Sequence, residues 1–145
     1  MIRFELSLEI RRPRSEVFAF WSDPQNLAAW QSGVVEVKAD AGPVGRGTRY
    51  TVVRKALGMT QEMRTTLVEF EAEQRVVETA RGGPAKHTVT TVFSELPAGR
   101  TRLDTIVEVD LGGLLGRIGD KLAAGKIKAQ AEGDQARLKA LLEAR

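Results

Sequence analysis

The chain has 145 residues, of which 42% are hydrophobic and 28% charged, and its formal net charge is +3. These proportions are those of an ordinary globular domain rather than a disordered chain, and no run approaches the roughly 18 apolar residues that a membrane-spanning helix needs. Cationic residues are interspersed with nearly as many acidic ones, which predicts a solvated surface rather than a nucleic-acid interface.

The first predicted element is a β-strand, because apolar and polar residues alternate with the period of two that a half-buried strand shows. Its apolar positions are Phe4, Leu6, Leu8 and Ile10. Pro13 ends the strand because it has no N–H to donate to a neighbouring strand.

Two short helices are predicted next, joined at Ser22–Pro24. Either Ser15 caps the first helix or Pro13 opens it. The second begins at Asp23-Pro24, because aspartate is a favourable cap and proline fits the first helical position.

Between Gly33 and Leu111 the pattern is almost entirely strand and turn, and the short turns imply antiparallel neighbours. Six strands are predicted, at 34–38, 48–55, 59–71, 75–81, 86–96 and 101–111. The third of these has an ambiguous register, since the phase of Met63, Thr65 and Leu67 is opposite to that of Phe70. A β-bulge near Leu67–Val68 would reconcile the two phases.

Residues 114–144 are predicted to form one long helix with an apolar stripe. The stripe consists of Leu115, Ile118, Leu122, Ile127, Ala131, Leu138, Leu141 and Leu142. Four glycines interrupt it (Gly116, Gly119, Gly125 and Gly133), each at a cost of about 1 kcal/mol relative to alanine. They indicate close approach to the sheet, a kink, room for a bound molecule, or a helix broken near Gly116–Gly125.

The predicted fold class is α+β: a seven-stranded curved antiparallel sheet, two short helices after the first strand, and a long C-terminal helix over an internal cavity. Residues 1–145 are expected to form a single domain. The chain contains no cysteine, and its N-terminal segment has no continuous apolar stretch of the kind that signal peptides carry. Both features favour a cytoplasmic location.

The order of elements and the segment RRPRSEVFAFWSDPQNLAAWQSGVVEV (11–37) resemble the START/Bet v 1-like (SRPBCC) superfamily, and its polyketide cyclase/dehydrase branch in particular. Gly45 and Gly47 before Tyr50, the stretch GRTRL (99–103) and the ending ARLKALLE (136–143) support the resemblance. It implies a helix-grip fold with an internal cavity. Members of the superfamily bind lipids, sterols, quinones, polyketides or plant hormones, and a minority catalyse cyclisation or dehydration.

Two residues are candidates for chemistry. His87 is the only histidine, which excludes a site with two histidine ligands, and its strand phase points inward. It is either a general base or polar anchor at the cavity, or a rim histidine that is bonded to a loop carbonyl or partly exposed. Tyr50, the only tyrosine, also points inward and either donates to a ligand or is satisfied by a neighbouring strand.

The other predicted lining residues are mostly apolar or uncharged, as in sites for hydrophobes that carry a carbonyl or hydroxyl group. With the two candidates above, the predicted binding set is Trp30, Tyr50, Gln61, Met63, Thr65, His87, Val89, Thr105, Leu122 and Ile127. The cavity walls are predicted to be Phe4, Leu6 and Leu8 on one side and Leu103, Thr105 and Val107 on the other. No two carboxylates share an inward phase, and Asp134 is predicted to lie at the edge of the long helix's apolar face.

The sequence favours binding or carriage of a hydrophobic small molecule such as a lipid, a polyketide, a quinone or another aromatic compound. The first alternative is a polyketide cyclase/dehydratase that uses the cavity to fold its substrate, with His87 or Tyr50 moving protons. The second is a protein-interaction module with a filled interior. We expect no metal, no cofactor, no nucleic acid and no integral membrane association, and nothing in the sequence specifies an oligomeric state.

Overall fold

The computed structural model describes residues 1–56, 58–112 and 117–145. Within these ranges seven antiparallel strands form one sheet in the order β1-β7-β6-β5-β4-β3-β2. The strands are β1 Ile2–Ile10, β2 Val34–Ala39, β3 Arg49–Ala56, β4 Met59–Glu71, β5 Arg75–Gly82, β6 Ala85–Leu96 and β7 Arg100–Asp110. Strands β2 to β7 follow one another as antiparallel neighbours, whereas β1 pairs with β7 at the far edge. The chain therefore crosses the sheet between β1 and β2, and the short helices lie in that crossing.

The two short helices begin as local sequence rules require. Helix α1, Arg14–Trp21, starts directly after Pro13, and Ser15 lies inside it, so proline opens this helix and serine does not cap it. A 3₁₀ turn, Pro24–Asn26, leads into α2, Leu27–Trp30. The side chain of Asp23 accepts a hydrogen bond from the N–H of Gln25 at 3.0 Å, which confirms the predicted cap.

The predicted bulge in β4 is present. The register between β4 and β5 shifts between Leu67 and Glu69, and Val68 is the extra residue, with 37% of its surface exposed. Because the phase changes there, Leu67 and Phe70 both contact the interior although they are three residues apart.

Helix α3, Arg117–Glu143, is continuous through Gly125 and Gly133. A Cβ atom at either glycine would meet nothing within 4 Å, so close approach to the sheet does not explain these two residues. The predicted helix start at residue 114, together with Leu115, Gly116 and the side chain of Ile118, lies outside the described residues.

The predicted apolar stripe of α3 was wrong at Leu122 and Leu141, which are 67% and 37% exposed. Leu122 and Ile127 are five residues apart, which places them about 140° apart around the helix axis, so the two cannot face the sheet together. Ala123 and Ala124 take the inward positions instead, one turn before Ile127. Small side chains therefore face the sheet in this half of α3.

The core divides along α3 into a filled end and a looser end. At the C-terminal end Leu138 and Leu142, both almost fully buried, pack into a cluster with Phe18 and Phe93. The rings of Phe18 and Phe93 meet edge to face at 5.1 Å and hold α1 on the sheet. Further towards the N-terminus of the helix Ile127 and Ala131 are only half-buried, against a smaller cluster on β1 and β7.

Glu143 fixes the C-terminal end of α3. Its carboxylate accepts a hydrogen bond from the backbone N–H of Arg11 at 2.9 Å, and its backbone carbonyl accepts one from the Arg12 guanidinium at 2.8 Å. The backbone N–H and the guanidinium of Arg11, which both donate to this carboxylate, together with Lys139 lower the pKa of Glu143 to about 2. The helix is thereby held to the segment after β1, which sets its position over the sheet.

Candidate functional site

A cavity of about 360 Å³ lies between the sheet and α3. Ligand pockets in proteins measure roughly 300–1,000 Å³, so the space is sufficient for a small molecule. Gln61 on β4 and Gln130 on α3 line it while remaining exposed to solvent, and they therefore mark its mouth. The cavity exists because α3 presents Ile127, Ala131 and polar groups here rather than leucines.

The structure places nine of the ten predicted binding residues on the cavity wall, namely Trp30, Tyr50, Gln61, Met63, Thr65, His87, Val89, Thr105 and Ile127. Leu122 is the exception, because it faces solvent. Phe4, Leu6 and Val107 line the cavity as predicted, whereas Leu8 and Leu103 belong to the packed core beside it. The contact of these residues with a ligand stays a prediction.

Tyr50 and Glu78 share a hydrogen bond inside the cavity. Tyr50 pairs with Thr65 of β4, and its ring passes over that strand so that its hydroxyl donates to Oε2 of Glu78 on β5 at 3.2 Å. Burial, followed by the neighbouring Glu78 charge, raises the pKa of Tyr50. Burial also raises the pKa of Glu78, against the opposing effects of the Tyr50 hydrogen bond and the Arg54 charge. The tyrosine hydroxyl is therefore bonded within the protein, to β5, which β4 separates from β3.

Arg54 brings a positive charge to the cavity near its mouth. It pairs across the sheet with Gln61, and its guanidinium donates a hydrogen bond to Oε1 of Gln31 at the end of α2. Among the described residues no carboxylate oxygen lies within 4.0 Å of this guanidinium. Burial lowers the pKa of Arg54, and the more distant charges of Asp134 and Glu78 oppose that effect. A guanidinium remains protonated in proteins despite such shifts, so Arg54 carries its charge.

His87 lies on β6 beside Ala80 of β5 and lines the cavity. Burial, followed by the charge of Arg54, lowers its pKa to about 4, so the imidazole is neutral at pH 7. The loop carbonyl considered above as its partner is not found: within the described ranges the ring has no hydrogen-bond partner. A neutral ring with this low pKa is a weak base at physiological pH.

The position of Asp134 differs from the prediction. It was expected at the edge of the apolar face of α3, but it is only 7% exposed and lines the cavity. Its Oδ1 accepts hydrogen bonds from the backbone N–H of Ser32 at 2.9 Å and from the guanidinium of Arg137 at 2.7 Å. Gln130 donates to the hydroxyl of Ser32 at 3.0 Å. Two side chains of α3 thus hold the segment between α2 and β2 next to the mouth.

Sequence reasoning missed Arg54 and Glu78. Both could have been found from strand phase: Arg54 continues the inward phase of Tyr50 and Val52, and Glu78 lies between Val76 and Ala80, each 1% exposed. The expectation that no two carboxylates share an inward phase concerned single elements, and it did not foresee carboxylates arriving from two different ones. Glu78 and Asp134 both line the cavity, from β5 and α3 respectively.

The described residues contain no cluster of three or more histidine, aspartate or glutamate side chains placed to hold a metal ion. In the same part of the chain, no helix combines the length and the apolar character needed to cross a membrane.

Comparison with known proteins matches residues 1–143 to the family described as polyketide cyclase/dehydrase and lipid transport. No curated protein matches the sequence. Solved structures match it closely in fold. A protein from Chromobacterium violaceum has a TM-score of 0.78 at 20% identity, with 97% of this chain and 96% of that chain covered. Two other solved structures also match.

The first of these is a START superfamily protein from Mycobacterium smegmatis, with a TM-score of 0.74 at 16% identity over 97% of this chain and 99% of that one. The second is Ara h 8.0201, with a TM-score of 0.76 at 13% identity over 99% and 98% of the two chains. At these identities the neighbours establish the fold alone. It is the helix-grip fold that the sequence predicted.

Proposed function

The chain belongs to the polyketide cyclase/dehydrase and lipid transport family, and from that premise we propose that it binds or carries a hydrophobic small molecule as a single ligand-binding domain. The observation that carries the proposal is the cavity of about 360 Å³ between the sheet and α3. Burial of an apolar ligand there would contribute about 25 cal/mol for each Å² of apolar surface removed from water.

The lining suits such a ligand. Most of the wall is apolar, including Phe4, Leu6, Val89, Val107 and Ile127, and a few polar groups converge near the mouth. This combination is typical of pockets that bind small molecules, where apolar walls supply affinity and isolated polar groups orient the guest. An interaction module with a filled interior has no use for this space, so the cavity disfavours that alternative.

Binding of the neutral apolar dye N-phenyl-1-naphthylamine tests the proposal, because the dye's fluorescence rises when it leaves water. We expect saturable binding with one dye molecule per chain. Val89→Trp, which fills part of the cavity, should weaken it at least about tenfold. Thr88→Trp is the matched control, since Thr88 precedes Val89 on β6 and faces the opposite side of the sheet.

Absence of saturable binding, or equal weakening by the two tryptophan variants, would overturn the proposal. Circular dichroism of each variant shows whether its fold is retained. Native mass spectrometry of protein purified from its own host then reports the mass of whatever co-purifies.

A polyketide cyclase/dehydratase is the second candidate, favoured by the presence of Tyr50, Glu78 and His87 on one cavity wall. The states of His87 and Tyr50 argue against catalysis. His87, with a pKa of about 4, is a poor base at neutral pH, and the Tyr50 hydroxyl is already donated to Glu78. Binding therefore ranks above catalysis.

Dehydration of 4-hydroxy-4-phenylbutan-2-one tests the second candidate. Loss of the α-proton and of the β-hydroxyl as water forms a conjugated enone, which is followed by its absorbance. The enzyme hypothesis would be favoured if the wild type accelerates the dehydration and Glu78→Gln abolishes this acceleration while dye binding stays unchanged. A rate equal to that of buffer alone would leave binding as the function.

A further inference from the structure

Arg54 is the feature of the cavity that a purely apolar guest would leave unused. A charged guanidinium taken out of water is costly unless other groups bond to it. Here one acceptor, Oε1 of Gln31, is in place, and no carboxylate of the described chain lies within 4.0 Å. A guanidinium has five N–H donors in a planar fork, so donors remain for another partner.

The neighbouring acidic groups are engaged elsewhere. Asp134 is bonded to Arg137 and to the N–H of Ser32, and Glu78 accepts the hydroxyl of Tyr50. Burial raises the pKa of Glu78, which favours its uncharged form, and lowers that of His87, which is neutral at pH 7. Arg54 therefore has no direct carboxylate partner among the described residues, although the charges of Asp134 and Glu78 act on it from a greater distance.

The position of Arg54 also matters. It lies two residues before the end of β3, opposite Gln61, whose side chain is exposed at the mouth. The apolar residues Val89, Val107 and Ile127 line the same cavity from β6, β7 and α3. A guest with one charged end and one apolar end can therefore keep the charged end near water while its body is buried.

We propose that the ligand is an amphiphile with a carboxylate head group, which Arg54 binds at the mouth while the apolar body occupies the cavity. The fork of the guanidinium matches the two oxygens of a carboxylate, and such charge-assisted pairs are stronger than neutral hydrogen bonds. The amide of Gln61, directly across from Arg54, offers a further donor. This inference rests on the proposed function and names the chemical class of its ligand.

The test compares an acid with its own ester. Dodecanoate and methyl dodecanoate have the same alkyl chain and differ at the head group, and each is titrated against the bound neutral dye. We expect the acid to displace the dye about 10- to 100-fold more effectively than the ester, as a hydrogen-bonded charge pair predicts. Naphthalene-2-acetate and its methyl ester repeat the comparison with an aromatic body. The two series together distinguish an alkyl carboxylate from an aromatic carboxylate as the preferred ligand.

Arg54→Met should abolish the preference for the acid without changing ester binding, and Arg54→Lys should retain part of it. The matched control is Arg64→Met, because Arg64 is exposed on the outer face of β4. Equal loss of acid binding in both methionine variants would show a general charge effect and overturn the role of Arg54.

The two proposals fail in different ways. If acid and ester displace the dye equally well, the head-group inference is wrong while binding in the cavity stands. If the dye, the acid and the ester all fail to bind, the proposed function itself is wrong. The comparison of acid with ester uses the wild type alone, so it decides the inference even if Arg54→Met does not fold.

Discussion

The hydroxyl of Tyr50 lies 3.2 Å from Oε2 of Glu78, so two ionisable side chains 28 residues apart are joined across an intervening strand. The bond crosses β4, whose Thr65 lies beside Tyr50 on one side and Ala80 on the other. It gives a buried carboxyl group a donor and leaves the tyrosine little freedom to rotate. Part of the cavity wall is therefore rigid before any ligand binds.

Loss of that bond should be measurable. Tyr50→Phe removes the donor, and we expect the free energy of unfolding to fall by about 1–3 kcal/mol because a buried acceptor loses its partner. The pKa of Glu78 should rise further, since the hydrogen bond favours the ionised form. Urea denaturation and NMR titration of the Glu78 side chain measure the two effects. Glu78→Gln keeps an acceptor and should cost less; an unchanged Glu78 pKa in Tyr50→Phe would contradict the bond.

Stability should depend on pH through His87. Its pKa is about 4 in the folded chain against an ordinary value of 6.5, so below pH 6.5 the unfolded chain binds a proton there that the folded chain does not. The free energy of unfolding should therefore decrease as pH falls from 6.5 towards 4, by at most about 3 kcal/mol, and then level off. Urea denaturation across this interval, for the wild type and His87→Gln, measures the contribution.

The difference in the free energy of unfolding between the wild type and His87→Gln isolates the contribution of His87. The comparison is needed because Glu78 changes stability with pH in the opposite direction. The folded-state pKa of Glu78 is raised, so its contribution is present at low pH and is lost as pH rises through that pKa. His87→Gln leaves this second effect in place. A difference in the free energy of unfolding that stays constant between pH 4 and 6.5 would show that the pKa of His87 is not lowered in the folded chain.

Asp134 should hold the segment before β2 in place. Asp134→Ala leaves the half-buried N–H of Ser32 without its acceptor, and we expect the free energy of unfolding to fall by about 1–3 kcal/mol together with faster hydrogen exchange at the Ser32 amide. Chemical denaturation and amide exchange measured by NMR provide the two readouts. Glu132→Ala, at an exposed position of the same helix, should change stability by less than about 0.5 kcal/mol. An unchanged exchange rate at Ser32 would refute the restraint.

Gly82 should not tolerate a side chain. A Cβ there would lie 2.6 Å from the carbonyl oxygen of Glu62 and would clash with Sδ of Met63. Gly82→Ala should therefore lower the free energy of unfolding by about 1–3 kcal/mol, as measured by denaturation. Gly45→Ala is the control, because a Cβ at Gly45 meets nothing within 4 Å. In a Met63→Ala background Gly82→Ala should cost less but should still be destabilising, since the backbone contact remains; no cost in that background would show that the methionine alone causes the loss.

Features that depend on neighbouring residues in the chain were predictable. The alternation in β1, the bulge at Val68, the opening of α1 at Pro13 and the cap at Asp23 each follow from a few consecutive residues. The inward positions of Tyr50 and His87 followed in the same way, because side chains in a strand alternate between two faces. Arg54 continues the same alternation after Tyr50 and Val52, so its inward position also follows from strand phase.

The sequence by itself therefore determined the element order, the fold class and most of the cavity wall, because local periodicity decides which residues face inward. Only the tertiary structure decided the rotation of α3, which turned Leu122 outward and Asp134 inward. It alone joined Tyr50 to Glu78, Arg54 to Gln31 and Asp134 to Ser32. Each of these contacts depends on the distance between elements far apart in the chain, which no periodicity within one element specifies.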